Sequence, residues 1–136
     1  MNRGEKQSFT KDERLCKTKL IKEIFENGNV FYSSQFRVCW IISSVDLPAP
    51  AQVAISVPKK SFRLAVTRNL IKRRIREAYR KNKYLLYNCL ADENIQVAFI
   101  LIFRQNRIPD YQTTEKSVIE TIGMLSEFVS RKHDKC

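Results

Sequence analysis

An α/β sandwich, two layers with a helix crossing over between strands, follows from three observations on these 136 residues. Residues 36–44 alternate apolar and polar side chains, as a half-buried strand does. Residues 95–103, IQVAFILIF, are apolar without a break, which suits a strand buried on both faces, although so short a run could also be helical. Between them, apolar residues recur at helical spacing through a strongly basic stretch. Hydrophobic residues are 43% of the chain, which predicts a packed core rather than disorder. The length suits a single domain over 1–136, with roughly residues 1–14 expected to be polar and flexible.

The elements follow in chain order. A first helix is expected over 18–27: Thr18 suits a cap, Ile21, Ile24 and Phe25 share a face, and Gly28 suits the position just past the end. In FRVCWIISS, residues 36–44, Phe36, Val38, Trp40 and Ile42 alternate with Arg37, Cys39, Ile41 and Ser43. Two prolines in DLPAPAQ break this strand, and a second is expected over 53–60. The basic helix is expected over 67–84, with Ile71, Ile75, Ala78, Tyr79 and Leu86 on one stripe. Asn69, Arg73, Arg76 and Arg80 fall opposite, flanked by Lys72 and Lys83. After the apolar strand, a last helix is expected over 114–131, with Thr113 as its cap and Val118, Ile122, Leu125 and Val129 as its stripe.

Charge is the most informative property. Residues 59–83 hold eleven Lys or Arg against the single acid Glu77, a net +10 in a chain whose total is +11. A cationic surface concentrated in one stretch marks a polyanion partner. Arginines one helical turn apart project as a row and can meet several phosphates at once. Their planar forks make paired bonds to phosphate, and free N–H groups near Thr67 to Asn69 would add anion donors. A merely solvated helix face usually mixes signs, and this one does not. Membrane-surface and calmodulin-target helices both need an exposed apolar face, whereas this apolar stripe is expected to be buried by the sheet. No run approaches the ~20 apolar residues of a bilayer span, and no secretory signal is visible in MNRGEKQSFTKDERL.

The remaining chemistry is sparse. Cys16, Cys39, Cys89 and Cys136 are scattered and the only histidine is His133, so neither a zinc site nor a disulfide framework is expected. Reduced thiols in a cytoplasm are the plain reading, with Cys39 in the core or in a cleft wall. No nucleophile motif occurs, and the pairs Asp12/Glu13 and Asp92/Glu93 are sequence neighbours in polar stretches rather than an acid–base or metal constellation. Phe25, Tyr32 and Arg37 could line a groove where unpaired bases stack; equally, Phe25 could be a core residue of a short amphipathic helix.

Residues 57–80, VPKKSFRLAVTRNLIKRRIREAYR, resemble the arginine-rich signature of the bacterial ribonuclease P protein family, roughly S-K-K-x-G-x-A-V-x-R-N-R-x-K-R-x-x-R. Lys59, Lys60, Ala65, Val66, Arg68, Asn69, Lys72, Arg73 and Arg76 fall on its positions. LCKTKLIKEIFENG is similar to the family's first helix, Gln35-Phe36 to the opening of a strand, and IQVAFILIFR, ending in Arg104, to its last strand. The chain departs from the pattern in three ways. The signature glycine is absent and SFRL is one residue longer than usual; Leu70 replaces the third residue of Arg-Asn-Arg; Ile21 and Cys39 stand where aromatic residues are frequent.

The resemblance implies a fold similar to the second domain of ribosomal protein S5, with a left-handed strand–helix–strand crossover where general rules give a right-handed one. It implies a role in removing the 5′ leader of precursor tRNA, with the catalytic centre and most of the Mg²⁺ in an RNA subunit and no catalytic residue in this chain. Lys59, Lys60, Arg68, Asn69, Lys72, Arg73, Arg76 and Arg80 are then the expected contacts to the catalytic RNA. Ile21, Phe25, Arg37 and Cys39 are the expected leader cleft. Ribonuclease P RNA and precursor tRNA are the expected partners, with no membrane and no DNA. The alternative is a ribosomal-type binder of structured RNA. A DNA regulator would need a helix-turn-helix, and a strand precedes the basic helix. A metal-dependent nuclease acting alone would need a carboxylate cluster.

Overall fold

The structure, a computed structural model, describes residues 8–134. Its elements are α1 (Thr18–Asn27), β1 (Asn29–Tyr32), β2 (Phe36–Ile42), β3 (Ala51–Ser56), α2 (Ala65–Asn82), α3 (Tyr84–Glu93), β4 (Val97–Phe103) and α4 (Tyr111–Asp134). The sheet order is β1-β2-β4-β3. β2 runs antiparallel to both β1 and β4, and β3 runs parallel to β4, so α2 and α3 form the crossover between parallel neighbours.

Alternation decides which face each side chain takes. Phe36, Val38 and Trp40 of β2, Ala51 and Val53 of β3, and Val97, Phe99, Leu101 and Phe103 of β4 all enter one core. There they meet Ile71, Ile75, Ala78 and Tyr79 of α2, Leu86 and Leu90 of α3, and Val118, Ile122, Leu125 and Val129 of α4. The other face has its own smaller core: Leu20 and Ile24 of α1 lie with Cys39, Ala98 and Ile100, joined by Leu15 and Leu47. β4 is thus the strand buried on both faces that its unbroken apolar run predicts. The two-layer expectation holds for the main core, with α1 added over part of the opposite face.

Several boundaries differ from the expectation. Lys17, not Thr18, is the cap position of α1, and no side-chain cap is made there. Gly28 ends α1 in extended backbone at φ −79° and ψ 176°. It is required by proximity instead: a Cβ there would lie 2.3 Å from the Ile24 carbonyl oxygen and 3.0 Å from that of Trp40. The second strand is 51–56 rather than 53–60. Asp110, not Thr113, caps α4, its carboxylate accepting from the Thr113 N–H at 2.7 Å. That bond and a side-chain one from Thr113 hold the Asp110 carboxyl below its ordinary pKa. The basic helix stops at Asn82, and Leu86 belongs to α3. β1 and α3 have no counterpart in the sequence expectation.

Of the segment expected to be flexible, residues 1–7 lie outside the described residues, as does Cys136. Residues 8–14 are tied down. Lys11–Glu13 form a 3₁₀ turn in which Glu13 accepts from the Thr10 N–H at 2.8 Å. Arg14 bridges to Val53 at the β3 edge, and Leu15 N–H donates to the Val53 carbonyl at 3.0 Å. The Glu13 carboxylate is buried and accepts from Lys83 Nζ and the Tyr87 hydroxyl. Lys83 Nζ also donates to the Ser8 carbonyl, which straps the segment to the α2–α3 elbow.

Candidate nucleic-acid interface

The apolar stripe of α2 is consumed by the core, so its other side must face outward. Asn69, Arg73 and Arg76 are exposed there, and Lys72 and Arg80 are half-buried at its flanks. Lys59 and Lys60 sit in the turn after β3, both exposed. The structure therefore gathers all eight expected contacts onto α2 and the turn that leads into it, but their roles divide. Arg68 Nη1 donates to the carbonyls of Phe62 at 2.7 Å and Arg63 at 2.9 Å, fastening the turn to the helix. Arg74 Nη1 donates to the Pro109 carbonyl at 2.5 Å and anchors the loop before α4. Arg80 pairs with Glu77 at 2.7 Å, and its hydrogen bonds hold the Glu77 carboxyl below the ordinary carboxylate pKa. Among the described residues, the side chains of Lys59, Lys60, Asn69, Lys72, Arg73 and Arg76 make no such bond. Unpaired cations clustered on one surface repel each other and attract phosphate.

The helix start also lies elsewhere than expected. α2 opens at Ala65, and the N–H groups of Thr67 and Arg68 already donate to the Leu64 carbonyl. Any anion at this end would meet the N–H groups of Ala65 and Val66 rather than those of Thr67 to Asn69. Where the signature has glycine and this chain has SFRL, Phe62 packs its ring on Phe103, centroids 6.1 Å apart. Leu70 is half-buried. Arg63, exposed in the same turn, is a further cation that the motif match missed.

The opposite face of the sheet is only partly covered by α1. Register places Tyr32, Arg37, Ile102 and Ser56 side by side across the four strands, a row about 14 Å long. Tyr32 is 54% exposed, Arg37 and Ser56 are open, and Ile102 forms a half-buried floor. The Arg104 guanidinium lies 4.8 Å from the Tyr32 ring centroid. Phe25 is 56% exposed at the end of α1, so it is not a core residue. Ile21 is half-buried against the small core. Cys39 is corrected out of the open cleft. It is 1% exposed beneath α1, and burial pushes its thiol pKa up although the Arg37 charge acts the other way. Tyr32 and Arg104 take its place beside Arg37. Their juxtaposition depends on the pairing of β1 with β2, which no local sequence signal reveals.

Fold and surface together define a small basic α/β protein of the RNA-binding class. The family model described as Ribonuclease P matches residues 9–126. The chain belongs to the ribonuclease P protein family, and an RNA partner in a holoenzyme comes with that membership. It is 34% identical over 114 residues to the ribonuclease P protein component of Porphyromonas gingivalis, covering 84% of this chain and 83% of that one. It is 40% identical over 79 residues to that of Petrotoga mobilis, covering 58% and 64%. The RNase P protein of Staphylococcus aureus superposes with a TM-score of 0.66 at 25% identity, covering 83% of this chain and 94% of that one. That of Thermotoga maritima superposes at 0.64 and 23% identity, covering 81% and 94%, a likeness of fold. Among the described residues no group of three or more His, Cys, Asp or Glu could hold a metal ion, and no helix is long and apolar enough to cross a membrane.

Proposed function

We propose that this chain serves ribonuclease P through two RNA surfaces. The outer side of α2, with Lys59, Lys60, Asn69, Lys72, Arg73 and Arg76, docks phosphates of the catalytic RNA. Arg68 and Arg80 shape and flank that surface while bonded within the protein. The open sheet row, with Phe25, Tyr32, Arg37 and Arg104, receives the single-stranded leader of precursor tRNA, and Ile21 and Cys39 support it from beneath. The observation that carries this reading is the one-sided set of cations, unpaired among the described residues, on a helix whose stripe of Ile71, Ile75, Ala78 and Tyr79 is buried in the core.

The protein's part is positioning and charge neutralisation. Two polyanions approach each other at an electrostatic cost, and a cationic protein between them lowers it. Magnesium, held mainly by the RNA, would supply the metal-assisted hydrolysis. The work would take place in the cytoplasm.

Reconstitution tests the proposal. The protein is mixed with in-vitro transcribed ribonuclease P RNA and 5′-labelled precursor tRNA at low Mg²⁺. Cleavage at the mature 5′ end that requires both components is expected. Protein that binds the RNA yet never promotes cleavage would return the reading to a ribosomal-type RNA binder. Cleavage by the protein alone would overturn the division of labour.

A further inference from the structure

The strapped N-terminal segment does more than close the sheet edge. Between it, β3 and α2 lies a pocket of about 230 Å³ lined by Phe9, Arg14, Leu15, Cys16, the Val53–Ile55 stretch and Arg76. No carboxylate lines it. The Arg14 guanidinium lies 5.5 Å from the Phe9 ring centroid, and that ring packs edge-on against Tyr79 at 5.8 Å. Neither Arg14 nor Arg76 has a carboxylate partner among the described residues. The floor is apolar, formed by Leu15, Val53 and the partly buried Ala54 and Ile55.

Two unpaired planar cations, an aromatic ring and an apolar floor match the parts of a nucleotide. A guanidinium takes phosphate oxygens, and a base fills a pocket lined by flat and aliphatic groups. The location adds to this. Arg76 belongs to the basic side of α2, while Leu15 and Ala54 belong to the small core under the open sheet face. The pocket therefore lies at the β3 edge, between the basic side of α2 and the side of the sheet that carries the small core.

We propose that this pocket holds one nucleotide of single-stranded RNA, its phosphate at Arg14 and Arg76 and its base on the apolar floor, so that RNA passes continuously from the sheet face to α2. The proposal rests on the RNA-binding reading above and adds Phe9 and Arg14 to it. Glu13 is a positioning residue here, because its buried bonds to Lys83 and Tyr87 hold the segment that forms the pocket wall.

The test uses the full-length protein and a fluorescent ten-nucleotide oligouridylate, with anisotropy read at several salt concentrations. Arg14→Ala, which removes a pocket cation, and Cys16→Glu, which adds an anion to the exposed wall, each lower net charge by one. Arg131→Ala does the same on α4 and serves as the control. Both pocket variants should weaken binding about tenfold and flatten the log–log salt slope by about 0.7, one single-strand phosphate contact. Cys16→Lys should tighten it. If Arg14→Ala unsettles the strap, the two Cys16 variants decide, since that side chain is exposed and carries no hydrogen bond among the described residues. Pocket variants that bind like Arg131→Ala would overturn the proposal. So would an equal loss against a blunt RNA duplex, which reports charge alone. Reconstituted cleavage separates the two readings. A wild-type protein that fails to promote it removes the assigned function, whereas normal cleavage with pocket variants indistinguishable from the control removes only the pocket.

Discussion

Glu13 is the residue on which local structure and global stability meet. Burial by itself would push its carboxyl pKa up; hydrogen bonds from Lys83, the Thr10 N–H and Tyr87 outweigh that and hold it below the ordinary value of 4.5. Its folded pKa is thus lower than its unfolded one. The contribution is present above the unfolded value and is lost as pH falls through the folded one. Unfolding measured by denaturant between pH 7 and pH 3 should show stability falling below about pH 4.5, with a shallower fall in Glu13→Gln. At neutral pH, Lys83→Met leaves a buried carboxylate unpaired and should cost about 3–5 kcal/mol. The double variant Glu13→Leu with Lys83→Met should recover part of that loss. Gly28 makes a different kind of demand. Its Cβ-free approach to two carbonyl oxygens predicts a loss of about 1–3 kcal/mol for Gly28→Ala, read from the same melts. A local reading sees only a helix-ending glycine at this site, because the constraint comes from Trp40 on the neighbouring strand as well as from Ile24.

At the scale of elements, α2 is two objects in one sequence motif. Arg73 and Arg76 face outward with no partner among the described residues, whereas Arg68 and Arg74 hold the preceding turn and the loop before α4. Arg73→Ala should weaken binding to ribonuclease P RNA and lower its salt dependence while leaving the melting temperature unchanged. Arg68→Ala should lower the melting temperature as well, since two carbonyls lose their donor. Equal thermal effects of the two would show that the division is wrong. The motif itself made no such distinction, because matching positions says which residue types occur and not which carbonyls lie within reach. The same limit explains the unforeseen break between α2 and α3. No proline or glycine stands at residues 82–85, and the break sits at Lys83, whose side chain is drawn inward by a carboxylate seventy residues earlier in the chain. β1, four residues long, carries too short a pattern to read alone and exists through its pairing with β2.

At the scale of the whole molecule, the strongly periodic or unbroken segments were legible and the contacts between distant segments were not. The β2 alternation, the β4 run and the apolar stripes of α2 and α4 place the main core correctly, since periodicity alone selects the buried face. The open side of the sheet was legible through Arg37, whereas the choice between core and cleft wall for Cys39 was not, because α1 lies over that part of the strand and nothing in the strand's own sequence says so. Tyr32 and Arg104 stand seventy-two positions apart and are joined only by the fold.

The strand order β1-β2-β4-β3 sets the schedule on which a growing chain can fold. β2 and β3 never touch as neighbours; both wait for β4, the last strand to leave the ribosome. Until residues 97–103 emerge, only the β1–β2 hairpin can pair, and a lone hairpin is marginal in water. The most cationic twenty-five residues of the chain are therefore synthesised and released before the strand that will order them exists. For that interval the newborn chain carries its basic stretch beside ribosomal RNA without a core behind it, and its helix acquires a single outward side only once β4 closes the sheet and α4 packs against the apolar stripe.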